Sequence, residues 1–258
     1  MKIVIVGAGG RLGAALQRLY SNEHKVIGFG HAQLDLGKPE VLQRTLSALD
    51  FNVLINSAAQ TNVDRCETHP KEAFELNAEA PRVLAEICTR KCAKLIHIST
   101  DYVFSGDNAA AYFEDDPAEP ISVYGASKLE GERRVLTGGP QHLVVRVSWI
   151  FGPDRPSFVD WVIGQARERE HVEAVADKTS TPTYTVDLAK MLQPLLGDGT
   201  ASGIVHLTND GGCSWREYGQ WALECCAEAG IPLKTRELGA ISLAEMKNFI
   251  ARRPVHTV

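Results

Sequence analysis

The chain has 258 residues, 44% of them hydrophobic and 23% charged, which is enough for one large α/β domain or a domain plus a lobe. Its net charge of −5 is mild and its Lys and Arg residues are dispersed, so no basic block exists to neutralise a nucleic-acid backbone. The first apolar run, Ile3 to Val6, is too short for a secretory leader or a membrane span; a cytoplasmic protein with no membrane partner is expected.

Short runs rich in Val and Ile alternate with longer stretches of helical period, the pattern of βαβ units. Residues 2–6 predict the first strand and 10–20 a helix, with Leu12, Leu16 and Leu19 on one stripe. Residues 25–29 follow as a strand, 39–49 as a helix opened by Pro39, and 53–55 as the third strand. A long helix over 70–89 is marked by Ala73, Leu76, Ala80, Leu84 and Ile87, and Pro81 is expected to kink it by crowding the carbonyl of Asn77. Next come a strand at 94–98, a helix at 124–136 and a strand at 142–147. Beyond Phe151 the rhythm loosens into a helix near 157–169, a strand near 172–175, a helix near 186–196, a strand at 204–207 and a helix over 214–229. Ser214 and Glu217 form a capping box at the start of that last helix.

This order predicts an α/β fold: a Rossmann-type doubly wound parallel sheet, with ligands at the carboxyl ends of its strands. Residues 1–148 are assigned to the dinucleotide-binding domain, its sheet continued by the strand near 172–175, and residues 149–258 mainly to a smaller C-terminal substrate lobe. Cys66, Cys88, Cys92, Cys213, Cys225 and Cys226 show no CxxC spacing, and no histidine pair has zinc-ligand spacing. Free thiols and no metal are expected.

Gly7, Gly10 and Gly13 follow the first strand at GxxGxxG spacing. Such glycines permit a tight strand-to-helix turn, close approach to a pyrophosphate, and a helix N-terminus aimed at the anion, with Arg11 and Leu12 in the same turn. The second strand ends in Gly28-Phe29-Gly30-His31, without the carboxylate that would repel a 2′-phosphate. NADP(H) is therefore preferred, with NAD(H) as the alternative. Arg11 is a candidate for the 2′-phosphate, a solvated surface arginine being the plainer reading. Asp35 and Leu36 are assigned to the adenine edge, and Ala58, Ala59 and Thr61 after the third strand leave room for a dinucleotide.

The chemistry is expected after the fourth strand. Thr100 lies at its exit, and Tyr124 and Lys128 stand at i and i+4, on one helical face. An ammonium so placed lowers the phenol's pKa from about 10, fitting it as a general acid. Hydride would pass from a nicotinamide to a carbonyl carbon while Tyr124 protonates the oxygen, Thr100 hydrogen-bonds it, and Lys128 tunes the phenol and holds the ribose. Asn77 reads either as part of a proton relay or as a structural carbonyl cap.

These residues, with Ser99-Thr100-Asp101-Tyr102-Val103-Phe104, the run from Pro120 to Glu132 around Tyr124-Gly125-Ala126-Ser127-Lys128, and Arg146-Val147-Ser148-Trp149-Ile150-Phe151-Gly152, resemble the dTDP-4-dehydrorhamnose reductase family of the extended short-chain dehydrogenases. The resemblance covers nearly the whole chain. It implies NADP(H)-dependent reduction of a 4-keto-6-deoxysugar on a dTDP carrier, Thr100, Tyr124 and Lys128 as the catalytic set, and a homodimer. Asp101, Val103, Trp149 and Arg253 would border the nucleotide-sugar. Where the family often shows Asp-Gln-x-Gly-x-Pro-Thr, this chain reads Asp177-Lys178-Thr179-Ser180-Thr181-Pro182-Thr183, so that wall of the pocket is expected to differ. The rival readings are a nucleotide-sugar epimerase on the same scaffold, and a non-catalytic NADP-binding regulatory subunit.

Overall fold

The computed structural model describes residues 1–257. In chain order the first half comprises β1 (Lys2–Val6), α1 (Arg11–Tyr20), β2 (Lys25–Phe29), α2 (Pro39–Ser47), β3 (Val53–Asn56), α3 (Val63–Thr68), α4 (Pro70–Phe74), a π-helical turn (Glu75–Glu79), α5 (Ala80–Arg90), β4 (Lys94–Thr100), α6 (Val123–Gly138) and β5 (Leu143–Val147). The second half comprises β6 (Ile150–Phe151), α7 (Phe158–Glu168), β7 (Glu173–Val175), β8 (Thr179–Ser180), β9 (Thr183–Tyr184), α8 (Thr185–Gly197), β10 (Gly203–His206), β11 (Cys213–Ser214), α9 (Trp215–Glu228), β12 (Gly239–Ile241) and β13 (His256–Thr257).

Six parallel strands in the order β10-β5-β4-β3-β1-β2 make the expected Rossmann-type sheet. Its apolar residues alternate between two cores, as the twofold period of a strand dictates. Val4, Leu54, Leu95 and Val144 pack toward α2 and α5 with Leu42 and Leu84; Ile3, Ile5, Ile55, Ile96 and Val145 pack toward α1 and α8 with Leu16, Leu188 and Leu192. Chain order reverses between β1 and β3, which opens a crevice at the strands' carboxyl ends.

Two expectations are corrected. The strand near 172–175 does not continue the sheet. The place beside β5 belongs to β10, delivered by α8 packing on α1, while β7 pairs with β12. Val172 and Ala174 are needed elsewhere, closing a separate lobe core with Val162, Ala166, Leu223 and Leu238 from around α7 and α9. The long helix is also less regular than expected: its path stays helical from Pro70 to Arg90, but Glu75–Glu79 widen into a π-turn directly ahead of Pro81, where the Ala80 amide bonds the Glu75 carbonyl.

The capping box at α9 forms as expected: the Glu217 amide donates to Ser214 Oγ at 3.1 Å and the Ser214 amide to Glu217 Oε2 at 2.7 Å. β13 joins β8, and the buried Lys178 Nζ donates to the Pro254 carbonyl at 2.6 Å. The six cysteines are free thiols. Among the described residues, no helix is long and apolar enough to cross a membrane.

Candidate active site

A cavity of about 740 Å³ occupies the crevice, and its two ends are built differently. At one end Gly7 follows β1 with φ +85°, and a Cβ there would stand 2.7 Å from the Ala58 nitrogen. A Cβ on Gly13 would stand 2.1 Å from the Gly7 carbonyl oxygen. Only glycine allows this turn and this approach of α1. Gly10 precedes α1 with no side-chain cap, and the first turn holds no acidic residue, so its unpaired amides suit an anion. Gly7, Gly10, Arg11, Leu12, Leu36, Ala58, Ala59 and Thr61 line this part of the cavity. Gly13 lies beneath it. A dinucleotide fits this end: main chain is bared where phosphates would lie, and every crowding Cβ is absent.

Two cofactor candidates also make contacts within the protein. Asp35 accepts from the Gly37 amide at 2.9 Å through one carboxylate oxygen, and the flanking Leu34 and Leu36 line the cavity. Arg11 is engaged with main chain, donating to the carbonyls of Ile150, at 3.2 Å, and Pro156. Two further arginines fasten the same loop to α1: Arg18 forms a two-pronged pair with Asp154 at 3.1 and 3.0 Å, and Arg155 Nε donates to the Gly9 carbonyl at 3.0 Å.

At the other end, β4 delivers Thr100, whose hydroxyl donates to Asp101 at 2.9 Å and accepts from the Tyr102 amide at 3.2 Å. Ser148, just past β5, donates to the second Asp101 oxygen at 2.9 Å. Ser122 caps α6 by accepting from the Gly125 amide. Gly125 itself permits close packing, since a Cβ there would lie 2.1 Å from the Tyr102 carbonyl. This contact seats Tyr124 in the cavity wall, edge-on to Tyr102 with ring centres 5.6 Å apart. Lys128 follows one turn later, its Nζ donating to the Ile98 carbonyl at 2.7 Å.

Burial governs both titrating groups. It pushes the Tyr124 phenol above its ordinary range, with the neighbouring Thr100 hydroxyl pulling the other way. It lowers Lys128 to about 8, against the opposing pull of Glu132. The expected depression of the phenol by its lysine is absent here, and desolvation, which penalises both charged forms, sets the direction of each shift. Below these groups, Glu132 and Arg146 form a buried two-pronged ion pair at 2.8 Å that ties α6 to β5.

Trp149 satisfies both of its readings. It lines the cavity and also packs on Phe158, Trp215 and Tyr218. Its φ of 38° is left-handed, a conformation that costs a bulky residue about 1–3 kcal/mol and persists where the surroundings enforce it. Val103 and Arg253, expected to border the sugar, do not line the cavity. Val103 is fully buried with Phe104 and Leu129, and Arg253 is spent on Asp64 at 2.7 Å, stacked on Phe249. Asn77 is a structural cap: its Oδ1 accepts from the Gln60 amide, and its Nδ2 donates to the Gln60 carbonyl and Ser127. His31, Leu34, Ser57, Tyr102, Val147 and Ile150 also line the cavity. Ser57 and His31 carried a signal, standing just past strand ends; Val147 and Ile150 read only as core.

Compared with known proteins, residues 1–258 match the family described as the RmlD substrate binding domain. A protein of Streptomyces antibioticus named as a probable dTDP-4,6-dihydroxy-2-methyloxan-3-one 4-ketoreductase is 40% identical over 222 residues, 85% of this chain and 75% of that one. The dTDP-4-dehydrorhamnose reductase of Mycolicibacterium smegmatis is 38% identical over 260 residues, 100% of this chain and 77% of that one. Among solved structures, the dTDP-4-dehydrorhamnose reductase of Bacillus anthracis in complex with NADP superposes with a TM-score of 0.91 at 34% identity, covering 99% of this chain and 89% of that one. The Clostridium acetobutylicum enzyme of the same name gives 0.92 at 33% identity, over 100% of this chain and 89% of that one.

Proposed function

This chain belongs to the RmlD substrate binding domain family, and on that premise we propose that it is an NADP(H)-dependent oxidoreductase. Its substrate is the 4-keto group of a nucleotide-linked 6-deoxysugar, with dTDP-4-dehydrorhamnose, reduced to dTDP-L-rhamnose, favoured by its relatives' names. The observation that carries this reading is one continuous cavity with the glycine turn at one end and Thr100, Tyr124 and Lys128 at the other.

The turn at Gly7 and Gly10 and the N-terminus of α1 would hold NADPH, which when bound would supply the hydride. Tyr124 gives its proton to the carbonyl oxygen as negative charge develops there, and the Thr100 hydroxyl shares that charge. The Lys128 ammonium stabilises the phenolate left behind. Trp149 borders the sugar and excludes water. The β2 tip, free of carboxylate, favours NADP over NAD, with NAD(H) accepted less well.

The test is a panel of dTDP-, UDP- and GDP-linked 4-keto-6-deoxyhexoses followed by NADPH oxidation. Steady consumption with a dTDP sugar is expected. NADPH bound without turnover would favour a regulatory subunit, and turnover without stoichiometric NADP release would favour an epimerase. A cytoplasmic site of action is supported by six cysteines that remain thiols. A homodimer is the assembly the family resemblance favours, and sedimentation measures it.

A further inference from the structure

Behind the wall that carries Lys128, a row of buried polar side chains takes no part in the reaction described above. Asn56, the last residue of β3, and His97, its register partner on β4, are both fully buried. Asn56 Oδ1 accepts from the Ala58 amide at 3.2 Å, which turns its Nδ2 toward His97 Nδ1 at 3.0 Å. An amide nitrogen donates and does not accept, so Nδ1 must present a lone pair. Burial holds the imidazole neutral, and a neutral ring with a bare Nδ1 carries its proton on Nε2. That Nε2 lies 3.3 Å from Lys128 Nζ. An N–H group cannot accept from an ammonium, but it can donate to an amine. The contact is therefore satisfied when Lys128 has released a proton.

We propose that His97 is a positioning residue, fixed by Asn56 in its Nε2–H form so that it stabilises Lys128 whenever the lysine becomes an amine. The proposal rests on the reductase reading of Tyr124 and Lys128. The protons balance: the phenol gives one to the substrate oxygen, the Lys128 ammonium first stabilises the phenolate and then replaces its proton by way of solvent, the resulting amine accepts the Nε2–H hydrogen bond, and solvent restores the ammonium. His97 neither gains nor loses a proton. The charged group acting on the pair from α6 is Glu132, itself neutralised by Arg146 of β5, and Tyr124 stands one helical turn before Lys128 on the cavity wall. Among the described residues, Nζ has hydrogen-bond partners only in the Ile98 carbonyl and His97.

Nitrogen-15 NMR of the histidine rings tests this on the whole protein without substrate, the His97 signals being assigned by their loss in His97→Gln. The Nε2–H tautomer is expected from about pH 6 to 9. A proton on Nδ1, or an imidazolium, overturns the proposal whether or not the protein turns over any sugar. A second arm follows kcat against pH in wild type, His97→Leu and His97→Gln. The glutamine can place an N–H near the position of Nε2–H and should keep the alkaline limb, whereas leucine should raise it by roughly one pH unit. Coincident limbs in all three proteins, or a glutamine limb displaced as far as leucine's, overturn it. Should the leucine variant not fold, the tautomer and the glutamine limb decide. Absence of turnover with every sugar counts against the reductase reading and leaves the NMR result to judge His97.

Discussion

The glycine end of the cavity and the sugar end obey different rules. The first is a surface of main chain, shaped by what Gly7, Gly10 and Gly13 lack, and an atom added at Gly7 or Gly13 has nowhere to go. The second is assembled from side chains brought by separate segments: Thr100 from β4, Tyr124 from α6, Trp149 from beyond β5. A surface made by omission is defined by a few residues in one stretch, whereas a surface made by assembly is open to replacement one side chain at a time. The lesson is that chemistry and cofactor can stay fixed on such a scaffold while the sugar changes.

Four substitutions sharpen or break this contrast. The largest effect is expected where the two ends meet: Tyr124→Phe should lower kcat by about 10²–10⁴-fold, while NADPH affinity, followed by nicotinamide fluorescence, stays near wild type. Lys178→Gln probes the wall behind the sugar end. The Lys178 ammonium is lowered by burial to about 8, with Asp101 opposing. The unfolded chain therefore binds more protons than the folded one between about pH 8 and the ordinary lysine value near 10.4, and wild-type stability should rise across that window. The glutamine variant should be more stable near pH 7 by roughly 1–3 kcal/mol, and the gap should close as pH climbs through the window; a gap independent of pH in urea melts would refute this.

Gly13→Ala should cost about 1–3 kcal/mol by overpacking and weaken NADPH binding about tenfold or more, because the new methyl meets the Gly7 carbonyl. Unchanged binding by titration would mean that the glycine end yields like the other. Trp149→Ala should have the smallest effect on the cofactor. The KM for the sugar should rise by roughly tenfold with NADPH affinity unaltered, and a parallel loss of both would erase the distinction between the ends.

The glycine turn, the β1–β5 strands and the Tyr124–Lys128 pair were legible in the sequence because each is local. The glycine spacing, a Val/Ile run and an i,i+4 pair require no knowledge of a distant partner. What escaped depended on long-range choice. The short Val-bearing strands at 173–175 and 203–206 look alike in isolation, and the packing of α8 on α1 decides which enters the sheet. Arg253 is a plain charged residue until Asp64, far away in sequence, claims it. The Asp35 contact with the Gly37 amide could not be read from the sequence, since an acidic residue near a strand tip serves a ligand or its own turn equally well.

The three arginines that bind the 150–156 loop to α1 make the glycine end a fastening as well as a berth. Any movement that widens the entrance must part the exposed Arg18–Asp154 pair and free Arg155 from Gly9. Ions in solution weaken attractions of this kind. Raised salt should therefore quicken both arrival and departure of the dinucleotide, linking how fast the enzyme reloads to the saltiness of its surroundings.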